Sequence, residues 1–227
     1  MRAAQARLKM TARDEEAYEA LASVADPDFE DFFRIYSESI QPREQKPRHL
    51  ISRLIGSGDY RVLLQKQGGE VVGFGIVFAP QTEAFRLLEY MAVDAGHRNS
   101  GFGQRLFQRV VQESVSIRGE PLPLLVEVDS DREASTDRAM RKRRLQFYRR
   151  LGCLRVEGRP YTPPSPGEGP LPEMDLLVHL PAGFPGLRKA QLRHWLGIIY
   201  ECVYDCRRDD DRIAQMMETV ADPLSLL

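Results

Sequence analysis

The sequence predicts a mixed α/β fold in which a twisted sheet is flanked by helices. Three observations indicate this class: apolar residues at helical spacing over about 28–40, strand-like alternation from Tyr60, and a strand, glycine turn and helix after Leu87. Because helical and strand patterns then alternate to about residue 180, we expect core elements in the order ααβββαβαββ.

The first two predicted elements are helices. Aromatic and aliphatic residues recur every three or four positions over 28–40, and Asp26 or Asp28 is available as the N-terminal cap. A shorter helix over about 50–55 follows and ends at the glycine-rich sequence 56–58.

Three strands and a helix come next. Tyr60, Val62 and Leu64 have the two-residue spacing of one strand face, Gly68-Gly69 favours a tight turn with positive φ, and 71–78 has the pattern of the returning strand, so a hairpin is predicted. A third strand over 87–93 leads through a glycine turn into a helix with one apolar face over 106–117.

The remaining core elements are a strand at 124–128, a helix that reaches Leu151, and strands at 153–157 and 174–180. The stretch 158–172 is rich in proline and glycine, which predicts a semi-rigid loop. After Pro185, helical spacing of apolar residues that include Trp195 predicts a helix, and a short terminal helix follows. We expect these last helices to pack on the core or on a second subunit.

Composition narrows the function classes. The 227 residues are 42% apolar and 29% charged, which is ordinary for a globular protein. Lys and Arg number 32 against 33 acidic residues, so the net charge of −1 provides no general attraction to nucleic acid or to an anionic membrane. The polar start without an apolar run predicts a cytoplasmic protein, and three cysteines without a C-x-x-C pair predict reduced, buried thiols.

The glycine turn between the third strand and its helix is suited to bind an anion. A helix N-terminus presents N–H groups, and Gly101 and Gly103 let a phosphate approach the backbone. Gln104 and Arg105 stand where a Walker loop needs Lys and then Ser or Thr, and Leu106 stands where a dinucleotide fingerprint needs its third glycine. Neither of those nucleotide motifs fits.

The pattern Arg98-x-x-Gly101-x-Gly103 does match the acyl-coenzyme A signature, and at this point the sequence resembles the GNAT superfamily of N-acetyltransferases. As in that family, the motif follows a strand with a small apolar triplet and opens a helix. The resemblance implies a GNAT-type, mostly antiparallel sheet with helices on both sides, and acetyl-CoA as co-substrate. It covers about residues 28–180.

A second motif supports the resemblance. The sequence Phe147-Tyr148-Arg149-Arg150-Leu151-Gly152 is similar to the family's Tyr-x-x-Leu-Gly-Phe, with Cys153 in place of the final aromatic residue. The Asn that the family often has seven positions before the tyrosine is Arg141 here, so the resemblance does not imply that Asn's contact with the coenzyme for this chain.

The resemblance also implies which residues contact the coenzyme. The strand backbone of the triplet Met91, Ala92 and Val93 would pair with the pantetheine arm. The turn and the first helical turn would surround the pyrophosphate, and they comprise Arg98, Asn99, Ser100, Gly101, Phe102, Gly103 and Gln104.

Two residues are candidates for the chemistry. An amine must be neutral to attack a thioester, so a base is useful, and Glu89 lies on the strand face of Met91, two residues before the triplet. A water is the alternative base, and a pairing of Glu89 with a basic neighbour is the alternative interpretation of that residue. Tyr148 falls on the family position whose hydroxyl faces the sulfur, so it is expected to donate a proton to the thiolate; its alternative role is packing.

Other chemistry-bearing residues give weaker signals. A basic cluster over 138–150 follows several acids, which favours a solvated helix face paired with those acids over a contact to the 3′-phosphate of coenzyme A. The four histidines stand far apart without companion ligands, so no metal site is expected. Nothing indicates a covalent nucleophile, and direct transfer in a ternary complex is the simpler mechanism.

The acceptor is the least determined part of the prediction. The resemblance implies that the segments 28–56 and 158–172 select it, and the residues singled out there are Tyr36, Glu38 and Tyr161. A primary amine of a small molecule is the first hypothesis. A protein lysine or N-terminus is the second hypothesis for the acceptor. The third hypothesis is a non-catalytic acyl-CoA-binding regulatory module, and a homodimer is a further expectation.

The length of the chain is divided accordingly into three parts. We expect a polar leader over 1–25, the acetyltransferase domain over 26–181 and a C-terminal helical extension over 182–227.

Overall fold

The computed structural model describes residues 15–116, 118–132, 136–164 and 173–227. The strands are β1 Glu16–Ala20, β2 Tyr60–Gln67, β3 Glu70–Phe78, β4 Arg86–Val93, β5 Leu124–Asp129, β6 Cys153–Arg155 and β7 Met174–His179. The helices are α1 Phe29–Ser39, α2 Arg48–Ile55, α3 Phe102–Glu113, α4 Arg138–Arg150, α5 Lys189–Cys202 and α6 Asp211–Glu218. The predicted element order is confirmed, with β1 added before it.

The chain forms two compact units. Unit 1 consists of the chain up to Gln81 together with Leu88–Glu113, and unit 2 consists of Thr82–Leu87 together with Ser114–Leu227. None of the helices in the described ranges is both long enough and apolar enough to cross a bilayer.

Unit 1 is built on the strand order β1-β2-β3-β4. The pairs β1–β2 and β2–β3 are antiparallel, and Gly68 and Gly69, with φ of 58° and 89°, make the predicted turn between β2 and β3. On the core side of α1, Phe32 meets Phe74 of β3 edge-on with ring centroids 5.0 Å apart. Helix α3 approaches β3 closely, because a Cβ on Gly75 would lie only 3.1 Å from Val110 Cγ2.

Strand β1 lies in the segment expected to be a polar leader. Its residues pair with β2 from Glu16 opposite Gln67 to Ala20 opposite Leu63. The sequence Glu-Ala-Tyr-Glu-Ala lacks the apolar alternation of a half-buried strand, so its pattern gave no strand signal. The strand is held instead by the ladder and by polar side-chain contacts, since the Gln65 amide donates to Glu16 Oε1 at 2.8 Å and to the Tyr18 hydroxyl at 3.2 Å.

Unit 2 contains the antiparallel strand order β5-β7-β6. The C-terminal helices pack within this unit: the ring of Trp195 on α5 stacks on Phe85 at 5.2 Å, and the backbone of Leu227 pairs with that of Arg155. The two units are divided at other residues than 181 and 182. The expected boundary between an acetyltransferase domain and a C-terminal extension therefore stays a prediction. All three cysteines are free, but only Cys153 is buried, so the expectation of buried thiols was wrong for the exposed Cys202 and for the half-buried Cys206.

Candidate active site

Glu89 of β4 carries a half-satisfied carboxylate. Its Oε1 accepts the ammonium of Lys46, and its Oε2 is buried without a hydrogen-bond partner among the described residues. The side chains are largely removed from solvent, with 4% of Glu89 and 11% of Lys46 exposed. The predicted base therefore has the basic neighbour that sequence analysis raised as the alternative, together with an oxygen still available to accept a proton.

Lys46 is held beside β4 by two tyrosines of unit 1. The Tyr36 hydroxyl accepts the Lys46 N–H at 2.7 Å, and the Tyr90 hydroxyl donates to the Glu44 carbonyl at 2.8 Å. The two rings meet edge-on with centroids 5.3 Å apart. Tyr36, a predicted acceptor residue, is fully buried, and burial raises its pKa to about 12, so its hydroxyl positions this segment as a neutral group.

The glycine turn has the backbone geometry that an anion site needs. Asn99 and Gly101 have φ of 63° and 81°, and Ser100 is exposed with them. Helix α3 begins at Phe102, and the first N–H groups of a helix have no intrahelical partner. The turn and helix start therefore fit a pyrophosphate, as the resemblance implies for Asn99 to Gln104.

Arg98 folds back instead of pointing outward from the turn. Its Nε donates to the Val93 carbonyl at 3.1 Å and its Nη2 donates to Ser39 Oγ at 3.1 Å. Beside it, Asp94 accepts the Gly96 N–H at 3.0 Å and the Arg34 guanidinium at 2.9 Å, and this arginine, followed by the backbone contact, lowers the Asp94 pKa. Arg98 therefore fixes the end of β4 and the entrance of the turn.

Two residues that sequence reasoning did not single out complete the turn. Arg105 brings its guanidinium over the turn, since a Cβ on Gly101 would lie 2.8 Å from Arg105 Nη1. Gln65, completely buried on β2, donates to the Phe102 carbonyl at 3.2 Å and thereby anchors the first turn of α3. The contact of Arg105 with the turn and the contact of Gln65 with α3 both depend on tertiary packing, and no local sequence pattern marks either residue.

The triplet Met91, Ala92 and Val93 continues β4 beyond Glu89. All three residues are half-buried, so this part of the strand is less covered than Leu87 and Leu88, which are buried. The partial exposure is compatible with a backbone that pairs with an extended ligand. The site residues of unit 1 that the structure brings together are thus Glu89, the triplet and the glycine turn.

Tyr148 and Tyr161 lie in unit 2. Tyr148 is 7% exposed on α4, and burial raises its pKa, which keeps its hydroxyl protonated at neutral pH. Tyr161 is 4% exposed, and its hydroxyl donates to Glu127 Oε1. Much of the proline-rich loop after Tyr161, which sequence analysis assigned to acceptor selection, lies outside the described residues.

The remaining candidates have structural partners. Glu38 is exposed and pairs with Arg34 at 3.2 Å. In the basic cluster, Arg141 pairs with Asp137 at 3.0 Å and Arg144 with Asp129 at 3.2 Å, which supports the interpretation of a helix paired with nearby acids. Within the described residues, no group of three or more His, Cys, Asp or Glu side chains is placed to hold a metal ion.

Comparison with known proteins shows what part of this chain is similar to. Residues 58–152 match the model of the acetyltransferase (GNAT) domain. A GNAT-family protein of known structure from Bacteroides thetaiotaomicron is 23% identical and superposes with a TM-score of 0.64 over 84% of this chain and 99% of its own. No curated protein sequence matches the chain.

A second solved structure has a defined activity. The ribosomal-protein-S18-alanine N-acetyltransferase of Escherichia coli is 18% identical, covers 76% of this chain and 97% of its own, and has a TM-score of 0.52. At these identities the likeness concerns the fold. It confirms the predicted fold class, a mixed and mostly antiparallel sheet flanked by helices.

Proposed function

We propose that this chain, which carries a GNAT acetyltransferase domain and is an acyltransferase, transfers the acetyl group of acetyl-CoA to a primary amine of a small molecule. Direct transfer within a ternary complex is the mechanism that needs the fewest groups, because no covalent nucleophile is indicated. When bound, acetyl-CoA supplies the acetyl group as a thioester.

One observation carries the choice of a primary amine as acceptor. The Glu89 carboxylate holds the ammonium of Lys46 on one oxygen and leaves the other buried oxygen without a partner. Because the Lys46 ammonium already neutralises this buried carboxylate, the other oxygen can accept a hydrogen bond from an acceptor amine in its neutral, nucleophilic form without burying a second charge. Glu89 would orient the acceptor amine and take its proton, directly or through a water.

The other residues take the roles that the resemblance gives them. The N–H groups of the glycine turn would bind the pyrophosphate, and the backbone of the triplet Met91, Ala92 and Val93 would align the pantetheine arm. A backbone N–H near Met91 would polarise the thioester carbonyl. Tyr148, neutral because it is buried, would donate a proton to the departing thiolate.

Three residues were singled out for acceptor selection, and their proposed roles follow from their contacts. Tyr36 and Tyr161 are buried and their hydroxyls are engaged within the protein, so they would act by holding their own segments in place, whereas Glu38 would contribute charge. Transfer to a protein lysine or N-terminus is the alternative acceptor class, and a non-catalytic acyl-CoA-binding module is the alternative to an enzyme. Cytoplasmic location and a homodimer stay predictions.

The direct test is release of free thiol from acetyl-CoA by the full chain in the presence of amines, polyamines, aminoglycosides, amino acids and peptides. A small amine that stimulates release above the rate without acceptor supports the proposal. Stimulation by peptides alone would move the function to protein acetylation. If acetyl-CoA raises the Tm but no acceptor stimulates release, the binding module is the better description.

A further inference from the structure

The short segment before α2 brings a lysine to the predicted base. Its backbone is fixed on both sides of Lys46, because the Tyr36 hydroxyl accepts the Lys46 N–H and donates to the Lys46 carbonyl at 3.4 Å. One residue earlier, the Gln45 amide donates to the Ile40 carbonyl at 2.7 Å and to the Ser37 carbonyl at 2.8 Å. These hydrogen bonds fix the backbone that carries the Lys46 side chain.

The side chain of Lys46 ends at Glu89 in a place that contains little solvent. Its ammonium is bound to Glu89 Oε1 and lies 5.8 Å from the centre of the Tyr90 ring. The second oxygen of Glu89 has no partner among the described residues. The protein therefore holds one of its own primary amines on the same carboxylate to which the proposed function assigns the amine of the acceptor.

We propose that Lys46 is a self-modification site, at which the chain acetylates its own side chain when no acceptor is present. The inference rests on the proposed function, since it assigns Glu89 the same task. A proton passes from the Lys46 ammonium toward Glu89, and the neutral Nζ attacks the thioester carbonyl. The N–C bond of the amide forms as the C–S bond breaks, the nitrogen loses its second proton, the thiolate takes up one proton to give the free thiol, and no oxidant or reductant is involved.

The products define what an experiment can detect. Each chain yields one Nε-acetyllysine and one free coenzyme A thiol, after which the reaction stops because the amide nitrogen is no longer basic. Acetylation also removes the positive charge of the side chain, so the ion pair with Glu89 is lost. The signature is a single, site-specific acetyl group without turnover.

Lys66 provides a matched control in the same unit. It is also a half-buried lysine paired with a carboxylate, at 2.7 Å from Asp28 Oδ2, and its side chain is 14% exposed. The partner Asp28 raises the pKa of Lys66, which keeps it as an ammonium at neutral pH. Like Lys46, Lys66 forms an ion pair with a carboxylate, but its partner is Asp28 and not Glu89. Its rate of acetylation therefore measures the uncatalysed reaction of acetyl-CoA with a paired lysine.

The experiment incubates the full chain with acetyl-CoA and no acceptor, and follows thiol release and the mass of the lysine-containing peptides. We expect one acetyl group per chain on Lys46, formed at least about tenfold faster than any acetyl group on Lys66, with a first-order rate that does not depend on protein concentration. Lys46→Arg keeps the cation on Glu89 and abolishes the modification, and Lys66→Arg leaves it intact. Glu89→Gln slows it by about a hundredfold.

Several outcomes overturn the proposal. Equal rates at Lys46 and Lys66 would mean uncatalysed chemistry, and a rate proportional to protein concentration would mean transfer between molecules. If acetyl-CoA raises the Tm and an amine stimulates thiol release while Lys46 stays unmodified, only this inference fails. If acetyl-CoA does not raise the Tm and no amine releases thiol, the proposed function fails with it.

Discussion

The two units each contain a glutamate on a strand, and the surroundings of the two carboxylates differ in one respect. In unit 2, Glu127 of β5 has both oxygens occupied, one by the Tyr161 hydroxyl and the other by the Tyr204 hydroxyl. In unit 1, Glu89 of β4 has one oxygen on Lys46 and the other without a partner in the described part of the chain. A fully satisfied carboxylate stabilises the fold, whereas a half-satisfied one retains capacity for a proton or a ligand.

The largest expected effect separates these two carboxylates directly. Glu89→Gln should lower acceptor-stimulated thiol release by about 10²- to 10⁴-fold, because an amide cannot take a proton, while the rise in Tm with acetyl-CoA persists. Glu127→Gln should leave turnover unchanged and cost about 1–2 kcal/mol of stability, since charge-assisted hydrogen bonds become neutral ones. Unfolding by denaturant measures the second effect, and equal losses of turnover in both variants would erase the distinction.

The second largest effect tests whether the glycine turn of unit 1 binds the pyrophosphate of acetyl-CoA. Gly101→Glu places an acid at the turn and should abolish the stabilisation by acetyl-CoA, about 2.7 kcal/mol at a concentration one hundred times Kd. Gly69→Glu is the control, because Gly69 has a similar positive φ of 89° and no atoms near its Cβ position. It suffers the same backbone strain without a pyrophosphate nearby. An unchanged Tm shift in the Gly101 variant would refute the phosphate assignment.

A third effect tests whether unit 2 supplies chemistry as well as stability. Tyr148→Phe removes the proposed proton donor and should lower turnover by about tenfold to a hundredfold, with little change in the Kd for acetyl-CoA. The loss is smaller than for Glu89 because a water can protonate a thiolate. Steady-state kinetics and binding measured on the same preparation separate the two quantities. Unchanged turnover would make Tyr148 a packing residue and confine the chemistry to unit 1.

The smallest effect concerns a carboxylate that is satisfied but near the surface. The Arg34 guanidinium lowers the pKa of Asp94 in the folded chain, so its stabilising contribution is complete above the ordinary Asp pKa and is lost as pH falls through the lowered value. Asp94→Asn should therefore flatten the acid limb of the stability curve by less than about 1 kcal/mol. Urea unfolding between pH 6 and pH 2 gives the comparison. A steeper acid limb in the variant would contradict this sign.

Local periodicity explains why most of the fold was predictable. Helix α1 was expected over 28–40 and is Phe29–Ser39, and the hairpin formed around Gly68-Gly69 as its turn chemistry requires. Strand β1 was missed because its residues are polar and its stability comes from pairing with β2. The glycine turn was predictable because a backbone with positive φ favours glycine, which is visible in the sequence. The buried contacts of Gln65 favour no particular local pattern, so the sequence did not reveal them.

The sequence by itself predicted the order of the elements after β1, the glycine turn and the candidate Glu89, because each depends on spacing along a few residues, and the resemblance to the GNAT superfamily added Tyr148. Only the tertiary structure decided the partners of those residues. Lys46 and Glu89 are 43 positions apart, and Arg98 folds back onto Val93 and Ser39 instead of facing outward from the turn. The assembled fold, not local pattern, brings both sets of partners together, and at Lys46 and Glu89 it also removes the two side chains from water.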